Sequence, residues 1–311
     1  MSLIDSRLTH SIIGAALGSA LGLPIDGSPA NDATREPLLG LVPSTSGPTG
    51  AYSNDTALTQ AGLAALSAGF SPEELMQEYR QWAQTGAYAA YPTAPRHTWP
   101  ATAAALGGRT PAAPDGDPGA LLRSLPLGFF LHHQFGADWL QNPAATGELA
   151  AFVDLTNPGL ANRIATTLYL QAATALLGDA PLATALDAAL DATLTYYQGE
   201  PAALDFALLG GLDLPQAKTL AASPATPRNA LAVAWYSLQA TSDFAPAVLT
   251  AANFGNASAA YAELAGGLAG LSYGYLRIPH RWCLLLTKYG AIVQRVQAAE
   301  RSGFFAATAA D

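Results

Sequence analysis

Alanine and leucine recur at helical spacing along almost the whole chain, and no run of alternating β-branched residues interrupts them. A strand shows period two and a helix period 3.6, so this pattern leaves an all-α fold as the one architecture the chain can build. Helices are predicted over about 6–22, 55–68, 72–85, 100–107, 118–133, 144–154, 159–177, 180–197, 201–209, 226–239, 243–253, 258–275 and 282–302. Some have legible starts. Ser71-Pro72-Glu73-Glu74 puts a capping hydroxyl, a first-position proline and first-turn acids in order. Asn157-Pro158 and Asp213 are similar punctuation. No linker-like break in composition and no fixed-period repeat is present, so residues 1–311 read as a single domain.

Charge excludes several functions. Charged residues make up 12% of the chain, about half the usual share of roughly 25%, with a balance of −9 and only Lys218 and Lys288 as lysines. Such a surface repels phosphate backbones, so no nucleic-acid partner is expected. Cys283 is the only cysteine, which leaves no internal disulfide and no multi-cysteine metal site. A cytoplasmic setting is the default expectation. The N-terminal apolar run, Ile12 to Leu23, follows Asp5 and Arg7 rather than a basic start and reads poorly as a signal peptide. Mean hydropathy is +0.19, yet the longest uncharged run, Phe244 to Ala262, is broken by Pro246, Asn253, Gly255 and Asn256. A spanning helix needs about 20 mainly apolar residues, so no membrane segment is expected.

Three stretches lack helical pattern: Pro24 to Asn54, Gly86 to Trp99 and Gly107 to Pro118. Loops of the first one's length in a compact domain usually carry function or are disordered.

Four clusters hold chemistry-bearing residues. Gly14, Gly18 and Gly22 clear one stripe of a helix for close backbone approach, and Asp26 follows on a loop. Tyr52-Ser53-Asn54-Asp55-Thr56 sets several side-chain oxygens at a helix start, where they suit either capping or a hard cation. Asp117-Pro118-Gly119 leads into a helix whose Arg123 suits either a phosphate or an internal carboxylate. Asn253-Phe254-Gly255-Asn256-Ala257-Ser258-Ala259-Ala260 is a glycine turn opening an apolar helix, the frame of a metal loop without its carboxylates.

Taken in order, these clusters resemble the ADP-ribosylglycohydrolase family, all-α hydrolases that remove ADP-ribose from modified side chains with two divalent cations. Gly14 through Asp26 resembles G-x-x-x-G-D-A-x-G-x-P-x-E, and Tyr52 through Thr59 resembles Y-[ST]-D-D-T-x-x-T. Tyr79 and Trp82 fit Y-x-x-W, Gly119 to Gly128 is similar to N-G-x-x-M-R-x-x-P-x-G, and Leu155 to Pro158 stands in the place of L-T-H-x-x-P. Asn253 to Gly270, followed by Ile278 to Trp282, is similar to N-x-G-G-D-x-D-T, G-A-x-A-G and I-P-x-x-W.

The departures fall on the metal ligands. The resemblance places the first site on Ser53, Asn54 and Asp55, with one carboxylate replaced by an amide, and the second on Ala257, Ala259 and Ala260, none of which can ligate. The loop glutamate is Asp26, Pro118 stands for the ribose-loop asparagine and Asn157 for the histidine. Two cations about 4 Å apart need bridging carboxylates to screen their repulsion. Ser53 and Asp55, helped by Asp26, Asn54 and Ser258, therefore hold at most one weakly bound Mg²⁺, and the expected cofactor is none or that single ion.

The function implied is an ADP-ribosylglycohydrolase-like pseudoenzyme that binds ADP-ribose, a related nucleotide or an ADP-ribosylated or other protein partner. The alternatives are a hydrolase working with one Mg²⁺ or none, with Asp26 as its base, and a structural protein with an unused cleft. Tyr52, His97, Trp99, Gly119 and Arg123 are the expected ligand contacts. Trp82 reads as core, and His132, His133 and His280 as structural or surface residues. Ser53 and Asp55 stand two apart with no G-x-S-x-G elbow around Ser53, and no Walker loop or dinucleotide fingerprint following a strand is present.

Overall fold

A computed structural model of the chain describes residues 6–45, 47–91, 93–112 and 115–305. Asp5 and small parts of the three predicted loops (46, 92 and 113–114) lie outside them. The described residues form sixteen α-helices and no strand; an isolated bridge pairs Ser44 with Gly47.

In chain order the helices are α1 (Arg7–Gly22), α2 (Asn54–Leu66), α3 (Pro72–Thr85), α4 (Pro100–Leu106), α5 (Gly119–Leu122), α6 (Leu125–Phe135), α7 (Pro143–Asp154) and α8 (Leu160–Leu177). They continue as α9 (Leu182–Tyr196), α10 (Pro201–Leu204), α11 (Leu214–Ala221), α12 (Pro227–Gln239), α13 (Phe244–Asn253), α14 (Ser258–Tyr273), α15 (His280–Leu285) and α16 (Tyr289–Arg301). The Ser71 cap forms as its sequence signals, its hydroxyl accepting from Glu74 N–H at 3.2 Å.

Three predicted spans break and one helix is new; 201–209 keeps α-helix only over α10 and passes into a 3-10 turn at Ala207–Gly211. The 118–133 helix breaks into α5 and α6, because Pro126 has no N–H to continue the ladder and disfavours helical geometry at the residue before it. The 282–302 helix breaks at Lys288, whose φ of 56° is left-handed. The unpredicted α11 starts at Asp213, where the carboxylate accepts from Gln216 N–H and the Gln216 side chain accepts from Asp213 N–H, a complete capping box.

The glycine stripe decides the centre of the fold. A methyl group on Gly14 would fall on the Gly266 carbonyl, one on Gly18 on the Ala262 carbonyl, and one on Gly22 on the Ser258 carbonyl. So α1 and α14 lie backbone against backbone, which the glycines of α1 permit, joined by Gly266 and Gly270 on α14. Around this pair α13, α12, α8, α6, α2 and α16 pack their leucine and alanine faces. By length and composition one segment, Arg7–Ile25, could cross a bilayer, but 83% of its apolar window is buried within this bundle. The close crossing also brings the end of α1, the start of α14 and the start of α2 together, and the cleft opens there.

Candidate functional site

Three helices meet through side-chain oxygens. Ser53, the N-cap of α2, donates its N–H to Ser19 Oγ on α1 at 2.8 Å and its hydroxyl to Glu263 Oε2 on α14 at 3.1 Å. Thr56 donates to the other oxygen of Glu263 at 2.9 Å. Glu263 is 1% exposed and had not been singled out in the sequence. One signal was available, since it is the only charged residue in α14. Burial, with the nearby Asp55 carboxylate adding to it, pushes Glu263 well above the ordinary carboxyl range; the hydroxyls of Thr56, Ser53 and Ser19 pull the other way.

A cleft of about 540 Å³ opens beside this junction. Its walls include Asp26, Tyr52, Ser53, Asn54, Asp55 and Tyr91, and the loop carrying His97 and Trp99 closes it from the other side. Asn54 ties that loop down, donating its amide to Pro95 O at 2.8 Å and to His97 O at 2.7 Å. Trp99 donates its indole N–H to Asp55 Oδ2 at 2.9 Å, while the buried Asp55 Oδ1 has no partner. Desolvation raises the Asp55 carboxyl to about 6; Arg123 and the Trp99 N–H oppose the rise, and Asp117 and Asp26 add to it.

Asp26 stands exposed at the mouth of the cleft. Its Oδ1 accepts the N–H of Ala259 at 3.1 Å. Ala257, at the N-cap of α14, has no side-chain oxygen to offer, so Asp26 caps this helix from the loop. The crowded wall of the cleft holds its carboxyl above the ordinary range despite the bond from Ala259 N–H, although the residue keeps contact with solvent.

Other expected site residues face elsewhere. Gly119 and Arg123 are not among the residues lining this cleft. Arg123 is 1% exposed, donates to Thr102, Thr156 and Asn157, and lies 5.2 Å from the Tyr79 ring centroid. It acts on Asp55 from behind, through charge. A side chain on Gly119 would meet Thr102 Oγ1 at 2.7 Å, so this glycine serves packing. Ser258 donates to Gly22 O at 2.8 Å and is fully buried, which takes it out of the cation set.

The turn at the start of α14 serves as a clamp for the long loop. Asn253 accepts from Leu38 N–H at 2.7 Å and donates to Leu38 O at 3.0 Å. Asn256 N–H donates to Ser28 O, and Gly27 N–H to Asn256 O. Gly255 has φ of 76°, and a side chain there would meet Pro29 O at 2.7 Å. Much of the Pro24 to Asn54 loop is thus strapped down by backbone and amide bonds.

These residues do not fit a pair of divalent cations. Ala257, Ala259 and Ala260 present only methyl groups, and Asn54 turns donors toward carbonyls. Ser53 spends its hydroxyl on Glu263 and the α2 cap, and Asp55 spends one oxygen on Trp99. Among the described residues no three His, Cys, Asp or Glu side chains gather as a metal site. Hard cations need several anionic oxygens, and among the described residues the cleft leaves only Asp55 Oδ1 and Asp26 Oδ2 unspent.

The profile of a family described as ADP-ribosylglycohydrolase matches residues 2–309. A solved structure titled "ADP-ribosylglycohydrolase-related protein complex" superposes with a TM-score of 0.75 at 22% identity, covering 97% of this chain and 100% of that one. At that identity the likeness establishes the fold. No curated protein matches the chain.

Proposed function

The chain belongs to the ADP-ribosylglycohydrolase family, and on that premise we propose that it is a pseudoenzyme, keeping the family's cleft as a binding site without the two-metal hydrolytic centre. The observation that carries this is the pair of bonds at the start of α2. The Asn54 amide holds the cleft loop through Pro95 O and His97 O, and the Trp99 N–H occupies Asp55 Oδ2. One of the two positions is an amide spent on carbonyls and the other keeps a single unpartnered oxygen, Asp55 Oδ1, while the facing half of the site is alanine. At most one weakly held Mg²⁺ suits what remains.

Without metals, hydrolysis at an anomeric carbon lacks both its positioned water and its charge stabilisation. The ligand classes that come with the family are ADP-ribose, a related nucleotide and a modified or unmodified protein partner. The test is hydrolysis of ADP-ribosyl-arginine and ADP-ribosyl-serine by the purified chain with and without MgCl₂. No turnover is expected in either condition, and sustained turnover overturns the reading.

A further inference from the structure

The charge of the cleft points to a ligand class. From the lining we infer that this cleft takes an organic cation, an alkylammonium group either on a free amine or on a lysine side chain of a partner, in preference to a diphosphate such as ADP-ribose. This rests on the reading of the cleft as a retained, metal-free binding site.

Four observations support it. First, the lining holds two carboxylates, Asp26 and Asp55, and no Lys or Arg; His97 is its one basic side chain. Arg96 is next in the loop but does not line the cleft, and Arg123 lies behind the wall, its Nη2 donating to Thr102, Thr156 and Asn157 and its Nη1 buried without a hydrogen bond. Second, Asp55 Oδ1 is buried with no hydrogen-bond partner, and a buried acceptor of this kind calls for a donor. Third, Tyr52, Tyr91 and Trp99 bring aromatic rings to the same cleft, and ring faces attract ammonium groups. The Trp99 N–H edge is spent on Asp55 and the Tyr52 hydroxyl donates to Tyr88 O at 2.8 Å, so neither is free to bind an anion.

Fourth, the feature that would favour an anion is already satisfied. The start of α2 carries the positive end of a helix dipole, but Asp55 sits in its first turn and Ser53 caps it. A diphosphate entering here would carry negative charges toward two carboxylates that act on each other through charge. In a family member with two cations that repulsion is screened; here it is not.

The experiment is calorimetric titration and thermal shift of the full chain with four probes in Mg²⁺-free buffer: putrescine, N-acetyl-lysine-N-methylamide, ADP-ribose and adenosine. Putrescine or the lysine amide is expected to bind, and the tighter of the two separates a free amine from a partner's side chain. Asp26→Asn retains a side-chain oxygen to accept the Ala259 N–H, and with its fold checked by circular dichroism it should weaken that binding about tenfold, equivalent to ~1.4 kcal/mol. Asp55→Asn, checked by circular dichroism, should weaken it further. ADP-ribose binding at least as tightly as either amine overturns the inference while leaving the metal-free binding reading in place. Silence from all four probes overturns the inference and removes the support for a binding cleft, and hydrolytic turnover overturns the pseudoenzyme reading separately.

Discussion

The Asn54 side chain donates to the carbonyl oxygen of His97 at 2.7 Å, and with a second bond to Pro95 O at 2.8 Å it fixes the loop that walls the cleft. An aspartate here would face two carbonyl oxygens with no proton to share. Asn54→Asp is therefore expected to destabilise the protein by about 1–3 kcal/mol. It should also release the loop, so that trypsin cuts after the exposed Arg96 faster than in the parent chain. Urea denaturation and timed proteolysis check the two effects.

Trp99→Phe keeps the ring and deletes the N–H that Asp55 Oδ2 accepts. A hydrogen bond to an ionised acceptor contributes about 1.5–3 kcal/mol, and Asp55 and Trp99 are both half-buried, so the lower end applies. The loss should be larger at pH 7.5, where Asp55 is charged, than at pH 4.5, where it is protonated. Equal losses at the two pH values would contradict the assignment.

The carboxyls of Asp55 and Glu263 share one pH signature. Asp55 moves from an ordinary 3.8 to about 6 in the folded protein, and Glu263 is raised well above 4.5. The native state then binds protons more tightly than the unfolded chain. The stability from these groups is fully present below about pH 4 and falls as pH rises through the folded values. Glu263→Gln mimics the protonated acid. It should match the parent near pH 4.5 and exceed it at pH 7.5, as read by denaturant midpoints.

Gly18→Ala tests the helix crossing. The added methyl would fall on the Ala262 backbone, where nothing flexible can yield. The expected cost is about 3 kcal/mol or more. Gly147→Ala is the control: it lies in α7 with nothing within 4 Å of the added carbon. That change should stabilise by about 0.5–1 kcal/mol. Thermal melts of the two variants should move in opposite directions.

Much of the fold was legible because its causes are local. The 3.6-residue spacing of alanine and leucine, the Ser71 cap and the glycine stripe each act within a turn or two of helix, and each formed as read. Two of the misread spans also have local causes: Pro126 after Arg123, and the left-handed Lys288. The site was legible only in part. Asp26, Tyr52, His97 and Trp99 do line one cleft. Gly119 and Arg123 stand on a helix turned away from it, and their motif spacing carries no sign of that rotation.

The sequence by itself determined the all-α class and a glycine stripe on α1 that admits a close backbone, for which side-chain type and helical period suffice, and it shows an amide at 54 and methyl groups at 257 and 259. Only the tertiary structure decided that α14 is the helix received by the stripe, and which partners the polar groups at the start of α2 take. Asn54 meets a carbonyl 43 residues away and Ser53 meets Glu263 across 210 residues. Whether a polar atom at such a junction faces a neighbour or open space depends on how three helices cross, which is settled by the packing of the whole bundle.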